Sequence, residues 1–363
     1  MFNLNSYMDD GILDILKTAG RYYLKDAKGV ACLAKAGPAM AKASKRRQAN
    51  ASGGLEVPVF LIASISSECN LHCTGCYAYA NGIVGAAAKA VELSDAEWAQ
   101  VFDEADELGV SFILLAGGEP TLRREVIEEA ASHEGMMFPV FTNGSFIDEY
   151  WIDLFDRHRN LIPVFSLEGD FYQTDARRGA GVAERIHRNM AALQKRHILW
   201  GVSFTVTRQN LDTVTDREYL LDLSERGCGL VIFNEYVPFA CGTEDMALDL
   251  AEHNRLMATL EERRTSEELN SMIMRCFPGD EELTQGCLAA GRGFFHISSA
   301  GAAEPCPFSP YSVANVKDVG VRGALESPFF ARIRAIEAEH ADEHLGGCTL
   351  FLHQDEVMAA TAL

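Results

Sequence analysis

Three closely spaced cysteines are the strongest chemical signal in this chain of 363 residues. Cys69, Cys73 and Cys76 have the spacing C-x3-C-x2-C, and an aromatic residue, Tyr77, follows directly. Three thiolates on one short loop can hold three irons of a [4Fe–4S] cube. Because such clusters normally take four cysteines, the spacing predicts either a distant fourth ligand or an open iron where chemistry takes place. A structural zinc site is less suited, since it usually pairs C-x2-C units.

Three further motifs follow the cysteine loop along the chain. They are Gly117-Gly118-Glu119-Pro120, Thr142-Asn143-Gly144 and Ser166-Leu167-Glu168-Gly169. In order and spacing, the four motifs together resemble those of the radical S-adenosylmethionine (radical SAM) enzymes. In that family S-adenosylmethionine (AdoMet) occupies the open iron through its amino and carboxylate groups. The resemblance covers roughly residues 57–240 well and the C-terminal third in part.

The resemblance implies an AdoMet pocket built on these loops. The backbone of Tyr77 would meet the adenine, and Glu119 or its neighbouring carbonyls would accept hydrogen bonds from the ammonium group. Glu168, where the family more often has Asp, would contact the ribose or carboxylate. A charge-assisted fork to the carboxylate would come from Arg177 or Arg178. Turn formation and core packing are the alternative roles for several of these residues. The predicted AdoMet-binding set is Tyr77, Gly117, Gly118, Glu119, Pro120, Asn143, Ser166, Glu168, Arg177 and Val206.

The segments that must position these motifs alternate between apolar strands and amphipathic helices, a pattern that predicts a parallel sheet. Six such units predict an α/β fold, an incomplete (β/α)6 TIM-type barrel, which the resemblance also implies. Every motif follows a strand, and the active sites of such barrels lie at the C-terminal ends of the strands. The predicted strands are 57–65, 112–116, 137–141, 162–167, 200–206 and 230–235, and the predicted helices are 95–108, 122–132, 148–157, 182–196, 213–225 and 248–264.

Charge separates the N-terminal segment from the rest of the chain. Residues 1–50 hold nine Lys or Arg and four Asp or Glu, a net charge of +5, whereas the whole chain has −20. Two helices are predicted here, 9–28 and 31–49, the second broken near Pro38. They would pack on the acidic body, cap the open bottom of the barrel, or make peripheral contact with an anionic membrane. The predicted domains are 1–54, a basic helical segment; 55–265, the barrel; and 266–363, a small C-terminal α+β module.

The C-terminal third holds a second group of cysteines. Cys287, Gly301 and Cys306 have the pattern C-x13-G-x4-C, which resembles the opening of the auxiliary-cluster domains called SPASM or twitch. The C-x2-C-x5-C-x3-C of a full SPASM domain is absent, so the resemblance implies a truncated module. One auxiliary iron–sulfur cluster would use Cys287, Cys306, Cys348 and either Cys276 or Cys241. A module that keeps the fold without a cluster is the alternative.

Net charge, apolar run length and cysteine content argue against a nucleic-acid-binding, membrane-spanning or secreted protein. The net charge argues against nucleic-acid binding. No apolar run reaches the length needed to cross a bilayer, and the first residues do not resemble a secretory signal. Ten cysteines in such a chain favour a reducing, cytoplasmic location over a disulfide framework.

The resemblance implies an enzyme that reductively cleaves AdoMet at a [4Fe–4S] cluster to a 5′-deoxyadenosyl radical, which abstracts hydrogen from a substrate C–H bond. A flavodoxin or ferredoxin would donate the electron. The C-terminal cysteines favour a peptide or protein substrate. A small metabolite, lipid or isoprenoid is the alternative, because residues 1–50 predict no strands of a leader-binding domain. A non-catalytic electron carrier or redox sensor is more remote, since it would need four cluster ligands and no AdoMet pocket.

Overall fold

The computed structural model describes residues 4–85, 90–340 and 348–362. The strands are β1 (Phe60–Ser66), β2 (Phe112–Gly117), β3 (Phe138–Thr142), β4 (Leu161–Leu167), β5 (Trp200–Val206), β6 (Cys228–Glu235), β7 (Ile273–Phe277), β8 (His296–Ile297) and β9 (Ala303–Glu304). The helices are α1 (Leu4–Tyr23), α2 (Ala27–Ser52), α3 (Tyr77–Ala80), α4 (Asp95–Leu108), α5 (Arg124–Ser132), α6 (Glu149–Arg157), α7 (Phe171–Arg178), α8 (Val182–Lys195), α9 (Leu211–Val214), α10 (Arg217–Glu225), α11 (Leu250–Thr265), α12 (Val316–Leu325), α13 (Pro328–Glu339), α14 (Thr349–Leu352) and α15 (Gln354–Ala360).

All nine strands form one sheet in the order β7-β6-β5-β4-β3-β2-β1-β8-β9. The strands from β1 to β7 are parallel, β8 adds to β1 in parallel, and only β9 runs antiparallel to its neighbour. This confirms the α/β fold class and the partial barrel. The six predicted barrel strands correspond to β1–β6. Strand β7 was not predicted, because Arg275 in mid-strand interrupts its apolar pattern.

Helix α4 shows how far local sequence determines an element. Ser94 and Glu97 form a capping box, in which each side chain accepts a hydrogen bond from the other residue's backbone N–H. Gly109 ends the helix with φ of 103°, a left-handed conformation that favours glycine. The predicted bounds of this helix are confirmed. The single helix predicted at 213–225 is instead two helices, α9 and α10.

The N-terminal helices cap the bottom of the barrel, one of the three placements predicted for them. Tyr23, Ala36 and Met40 are buried against residues at the N-terminal ends of the strands, among them Val59 and Phe112. These buried residues of the two helices therefore pack on the barrel. No helix in the described part of the chain is long and apolar enough to cross a membrane.

The predicted break of the second helix at Pro38 is wrong. Helix α2 runs through this proline without interruption. Proline in a helix interior removes one hydrogen bond and crowds the preceding turn. Burial of Ala36 and Met40 on either side of it holds the helical conformation.

Tyr23 ties this cap to the barrel through a buried hydrogen bond. Its hydroxyl donates to the carbonyl of Arg159 at 2.6 Å, and the side chain is fully buried. We expect Tyr23→Phe to lower the free energy of unfolding by about 1 kcal/mol, because the carbonyl loses its partner in the core. Tyr172→Phe is the matched control, since Tyr172 is 81% exposed. Equal urea midpoints for the two variants would contradict this prediction.

A buried histidine joins the C-terminal module to the barrel. His296 on β8 shares a hydrogen bond with the hydroxyl of Ser64 on β1 at 2.7 Å, and one with the carboxylate of Glu304 on β9 at 2.7 Å. All three side chains are buried. This chain of contacts fixes β8 and β9 against β1, and so fixes the module that carries the second group of cysteines.

Candidate active site

The C-terminal ends of the parallel strands open on a cavity of about 310 Å³. Both groups of cysteines predicted from the sequence line it: Cys69, Cys73 and Cys76 from the loop after β1, and Cys287, Cys306 and Cys348 from the C-terminal module. The polar side chains that share this wall include Asn143, Ser166, Arg177, Arg178, Ser203, Thr205, Asn234, Glu235, Tyr236, Asp280, Glu281 and Thr284.

The cysteine loop is held from both of its sides. On one side, Thr74 N–H donates to the carbonyl of Arg177 at 3.0 Å, and Arg177 Nε donates back to the carbonyl of Thr74 at 3.1 Å. On the other side, the backbone N–H and hydroxyl of Ser67 both donate to Glu92 Oε1, at 2.6 and 2.7 Å. The loop is therefore fixed before any metal enters it.

The surroundings of the loop suit an iron–sulfur cluster. Burial raises the pKa of the Cys69 thiol to about 11 and also raises the pKa of Cys73. Because thiolates and not thiols bind metals, binding of a metal at Cys69 and Cys73 releases protons. Two side chains can donate hydrogen bonds to these sulfur atoms: Arg178 Nη1 lies 3.9 Å from Cys73 Sγ, and Asn143 Nδ2 lies 4.0 Å from Cys69 Sγ.

Glu119 is not part of the cavity wall, so of the two acceptors predicted for the AdoMet ammonium, its carboxylate or the neighbouring carbonyls, the carbonyls of Gly117 and Gly118 are the ones beside the cavity. Its buried carboxylate accepts hydrogen bonds from Thr142 Oγ1 at 2.7 Å, Asn143 N at 2.8 Å and Thr121 N at 3.1 Å. Pro120 is also buried behind the loop, away from the cavity wall. Of this motif, only Gly117 and Gly118 line the cavity, and Glu119 positions the loops after β2 and β3 relative to each other.

Glu119→Gln tests this positioning role. We expect it to lower the free energy of unfolding by about 1–3 kcal/mol, because one of the buried donors would face an amide NH₂ group instead of an acceptor. Glu125→Gln, an exposed position on α5, is the control and should change stability by less than about 0.5 kcal/mol. Urea unfolding measures both variants, and a Glu119→Gln protein as stable as this control would refute the role.

Glu168 forms ion pairs with two adjacent arginines. Its Oε1 accepts from Arg177 Nη1 at 2.6 Å and from Arg178 Nε at 2.7 Å. Arg177 also donates to Thr205 Oγ1 at 3.0 Å. The sequence left open which arginine would pair with the AdoMet carboxylate; in the structure both arginines pair with Glu168 and both line the cavity. Glu168 Oε2 is buried and has no hydrogen-bond partner within the described residues, so an acceptor stands open for a ligand hydroxyl.

Val206 faces away from the cavity, so its predicted ligand contact is wrong. Its side chain is fully buried in the core on the helix side, and its carbonyl accepts from the backbone N–H of Tyr236 at 2.9 Å. Successive side chains of a strand point to opposite faces, and Thr205 is the residue of this pair that lines the cavity. The predicted residues that do line it are Tyr77, Gly117, Gly118, Asn143, Ser166 and Arg177.

Sequence reasoning missed the polar residues at the end of β6. Asn234 Nδ2 donates to Ser203 Oγ at 2.9 Å, and Glu235 Oε2 pairs with His253 Nδ1 at 2.8 Å. The ring of Tyr236 fills the space beside Gly75, where an added Cβ would lie 2.5 Å from its hydroxyl. Polar residues at the C-terminal end of a predicted strand were the available signal.

We call Cys287, Cys306 and Cys348 the C-terminal thiol group. All three are buried, and burial together with their neighbours raises the pKa of Cys348 to about 12 and those of the other two well above the usual thiol value. Backbone N–H groups of Ala289 and Phe308 donate to the sulfur atoms of Cys287 and Cys306, each at 3.5 Å. Such N–H to sulfur bonds are one way in which proteins tune iron–sulfur clusters.

The prediction of Cys276 as a ligand of this group is not supported. Its sulfur lies 3.8 Å from Glu235 Oε1, and its charged neighbours are Glu235, Asp280 and Arg264. Cys241, the other candidate, is exposed and lies outside the cavity wall.

Comparisons with known proteins agree with this arrangement. Residues 63–219 match the profile of the Radical SAM superfamily. The AdoMet-dependent heme synthase of Methanosarcina barkeri is 24% identical over 298 residues, which cover 74% of this chain and 82% of that protein. The PqqA peptide cyclase of Gluconobacter oxydans is 23% identical over 312 residues, 80% of this chain and 85% of that protein.

Solved structures share the fold. Streptococcus suis SuiB bound to S-adenosylmethionine superposes with a TM-score of 0.65 at 17% identity, covering 85% of this chain and 72% of that one. The same protein bound to its precursor peptide SuiA has a TM-score of 0.63 at 18% identity, covering 80% and 70% of the two chains.

Proposed function

Because the chain belongs to the radical SAM superfamily, whose enzymes use a [4Fe–4S] cluster and AdoMet, we propose that it abstracts a hydrogen atom from a C–H bond of a peptide substrate. The observation that carries this proposal is that the cysteine loop, the two arginines that hold the carboxylate of Glu168, and the C-terminal thiol group line one cavity. The cofactors, the reacting C–H bond and a second redox site would then lie in one enclosed space.

Each side chain of the site has a defined part in this proposal. Cys69, Cys73 and Cys76 would hold the cluster, and the backbone of Gly117 and Gly118 would face the AdoMet amino group. Glu168 Oε2 would accept from a ribose hydroxyl, while Arg177 and Arg178 hold that carboxylate and would face the AdoMet carboxylate. When bound, the cluster and AdoMet supply the 5′-deoxyadenosyl radical, using an electron from a donor such as a flavodoxin or ferredoxin.

The apolar part of the wall protects this chemistry. Phe60, Leu71, Phe141, Phe294 and Phe308 all face the cavity. They exclude water and offer no thiol or hydroxyl that a carbon radical could attack. The protein thus contributes orientation and exclusion, and the cofactors contribute the reactivity.

Peptide substrates are favoured by what the similar proteins modify. PqqA peptide cyclases, the mycofactocin maturase MftC of Mycobacterium ulcerans and SuiB with its precursor peptide SuiA all match across most of this chain. A small-molecule substrate such as a porphyrin is the second candidate, because the AdoMet-dependent heme synthases match over comparable lengths.

We also propose that the C-terminal thiol group holds one auxiliary iron–sulfur cluster. Three buried thiols from separate segments meet at the cavity, and two of their sulfur atoms already accept backbone N–H bonds. The module of residues 266–363 would then place a second electron carrier beside the substrate.

The substrate class is tested by the yield of 5′-deoxyadenosine. Anaerobically reconstituted enzyme is reduced with dithionite and AdoMet, with and without a fraction of cell extract. We expect a peptide-containing fraction to increase the yield, and protease digestion of that fraction to abolish the increase; Cys69→Ala should give none. An increase that survives digestion and follows the small-molecule fraction would overturn the peptide assignment in favour of the second candidate.

A further inference from the structure

The C-terminal thiol group offers three cysteines, whereas a [4Fe–4S] cluster takes four ligands. Building on the auxiliary cluster proposed above, we infer that Glu281 supplies the fourth ligand, so that three thiolates and one carboxylate hold the cluster. The inference depends on that cluster, and its test separates the ligand from the cluster itself.

No cysteine is left to complete the group. All ten cysteines lie within the described residues. Three of them form the loop after β1, and Cys276 contacts Glu235 instead. Cys228 donates to the carbonyl of Leu230 near the N-terminal end of β6, Cys32 lies on α2 at the bottom of the barrel, and Cys241 is exposed. Any fourth protein ligand of this cluster therefore comes from another residue type.

Glu281 is placed to be that ligand. It lines the same cavity as Cys287, Cys306 and Cys348, at the end of a 3₁₀ turn that leads into the Cys287 loop. Its carboxylate lies beside the Cys287 thiol. The backbone carbonyl of Glu281 accepts from the N–H of Gly286 at 2.8 Å, which holds residue 281 against the start of the Cys287 loop. Of the two buried carboxylates near these thiols, Glu281 lines the cavity and Glu337 does not.

Glu337 on α13 provides an independent sign that a cationic group belongs here. It is 92% buried, and within the described part of the chain neither of its carboxylate oxygens has a hydrogen-bond partner. A buried carboxylate without a partner is costly, and this one lies beside Cys287. The three thiols and the carboxylate of Glu281 on one cavity wall form a donor set for iron rather than an apolar core.

Arg292 fixes the backbone that joins Glu281 to Cys287. Its guanidinium donates to four consecutive carbonyls, those of Thr284 at 2.6 Å, Gln285 at 3.1 Å, Gly286 at 2.7 Å and Cys287 at 2.8 Å. A loop held at four successive carbonyls keeps a carboxylate and a thiolate at a set separation, as a ligand pair requires.

The test uses the Cys69/Cys73/Cys76→Ala variant, which removes the loop cluster and leaves the C-terminal site alone. In this background we expect about four irons. Adding Glu281→Ala should make one iron labile, so that mild oxidation loses it and produces the EPR signal of a three-iron cluster. Glu281→Cys should retain four irons with a changed EPR spectrum and reduction potential. If the Glu281→Ala protein folds poorly, the EPR spectrum and reduction potential of Glu281→Cys still show whether residue 281 binds the cluster.

Two control variants show whether a change in the cluster is specific to Glu281. Glu282→Ala removes the adjacent, exposed carboxylate, and Glu337→Ala removes the buried carboxylate that does not line the cavity; both should behave as the background does. Equal spectra for the background, Glu281→Ala and Glu281→Cys would overturn carboxylate ligation, and loss of iron from Glu337→Ala alone would overturn the choice of Glu281. A background without iron would overturn the auxiliary cluster, while the peptide assignment would still be judged by 5′-deoxyadenosine yield.

Discussion

Glu168→Gln is expected to weaken AdoMet binding at least roughly tenfold and to lower the free energy of unfolding by about 3–5 kcal/mol. Glu168 is 1% exposed and its carboxylate pairs with the guanidinium groups of both Arg177 and Arg178. Glutamine keeps the size of the side chain but removes the charge. Two cations then stay in a buried site without their counter-ion, and the ribose loses a charged acceptor.

Isothermal calorimetry with AdoMet on the reconstituted protein and urea unfolding of the apoprotein measure these two effects separately. Glu184→Gln is the matched control: Glu184 pairs with Arg188 on the surface of α8, and its side chain is 74% exposed. Exposed pairs of this kind contribute about 0–1 kcal/mol. If Glu168→Gln bound AdoMet as tightly as this control, the open oxygen of Glu168 would have no part in the ligand site.

The sequence predicted the barrel well because its signals are local. The bounds of α4 follow from the Ser94 capping box and from Gly109, and those of β5 from large apolar residues at every second position, Trp200 to Val206. Parallel strands then bring their C-terminal ends to one edge of the sheet, whatever the details of packing. This is why loops separated by some 100 residues in the sequence were correctly expected at one site.

The predictions that were wrong concern the direction of side chains. Val206 and Thr205 differ by one position, and only the packing of β5 between helices and cavity decides which of them faces the ligand. Glu119 was expected to bind AdoMet because it is charged, but Thr142 and Asn143 at the end of β3 donate hydrogen bonds to its carboxylate. Cys276 lies close to the other cysteines in sequence, yet β7 directs it towards Glu235. Each outcome depends on a partner from a distant segment.

Gly118→Ala is expected to lower the free energy of unfolding by about 1–3 kcal/mol and to prevent stable assembly of the loop cluster. An added Cβ would lie 2.1 Å from the carbonyl oxygen of Glu68 and 3.1 Å from Cys69 Cβ. The first contact is with backbone, so no rotation of a side chain relieves it. The start of the cysteine loop must move instead, and Cys69 moves with it.

Iron content after anaerobic reconstitution and urea unfolding of the apoprotein measure the two consequences. Gly37→Ala is the control, because nothing lies within 4 Å of an added Cβ at this position in α2, and alanine is the better helix former. The control should therefore be as stable as the parent or more so, with full iron content. A Gly118→Ala protein that kept the parent's iron and stability would show that the loop can shift without cost, and the close approach of the two backbones would then be no requirement of the site.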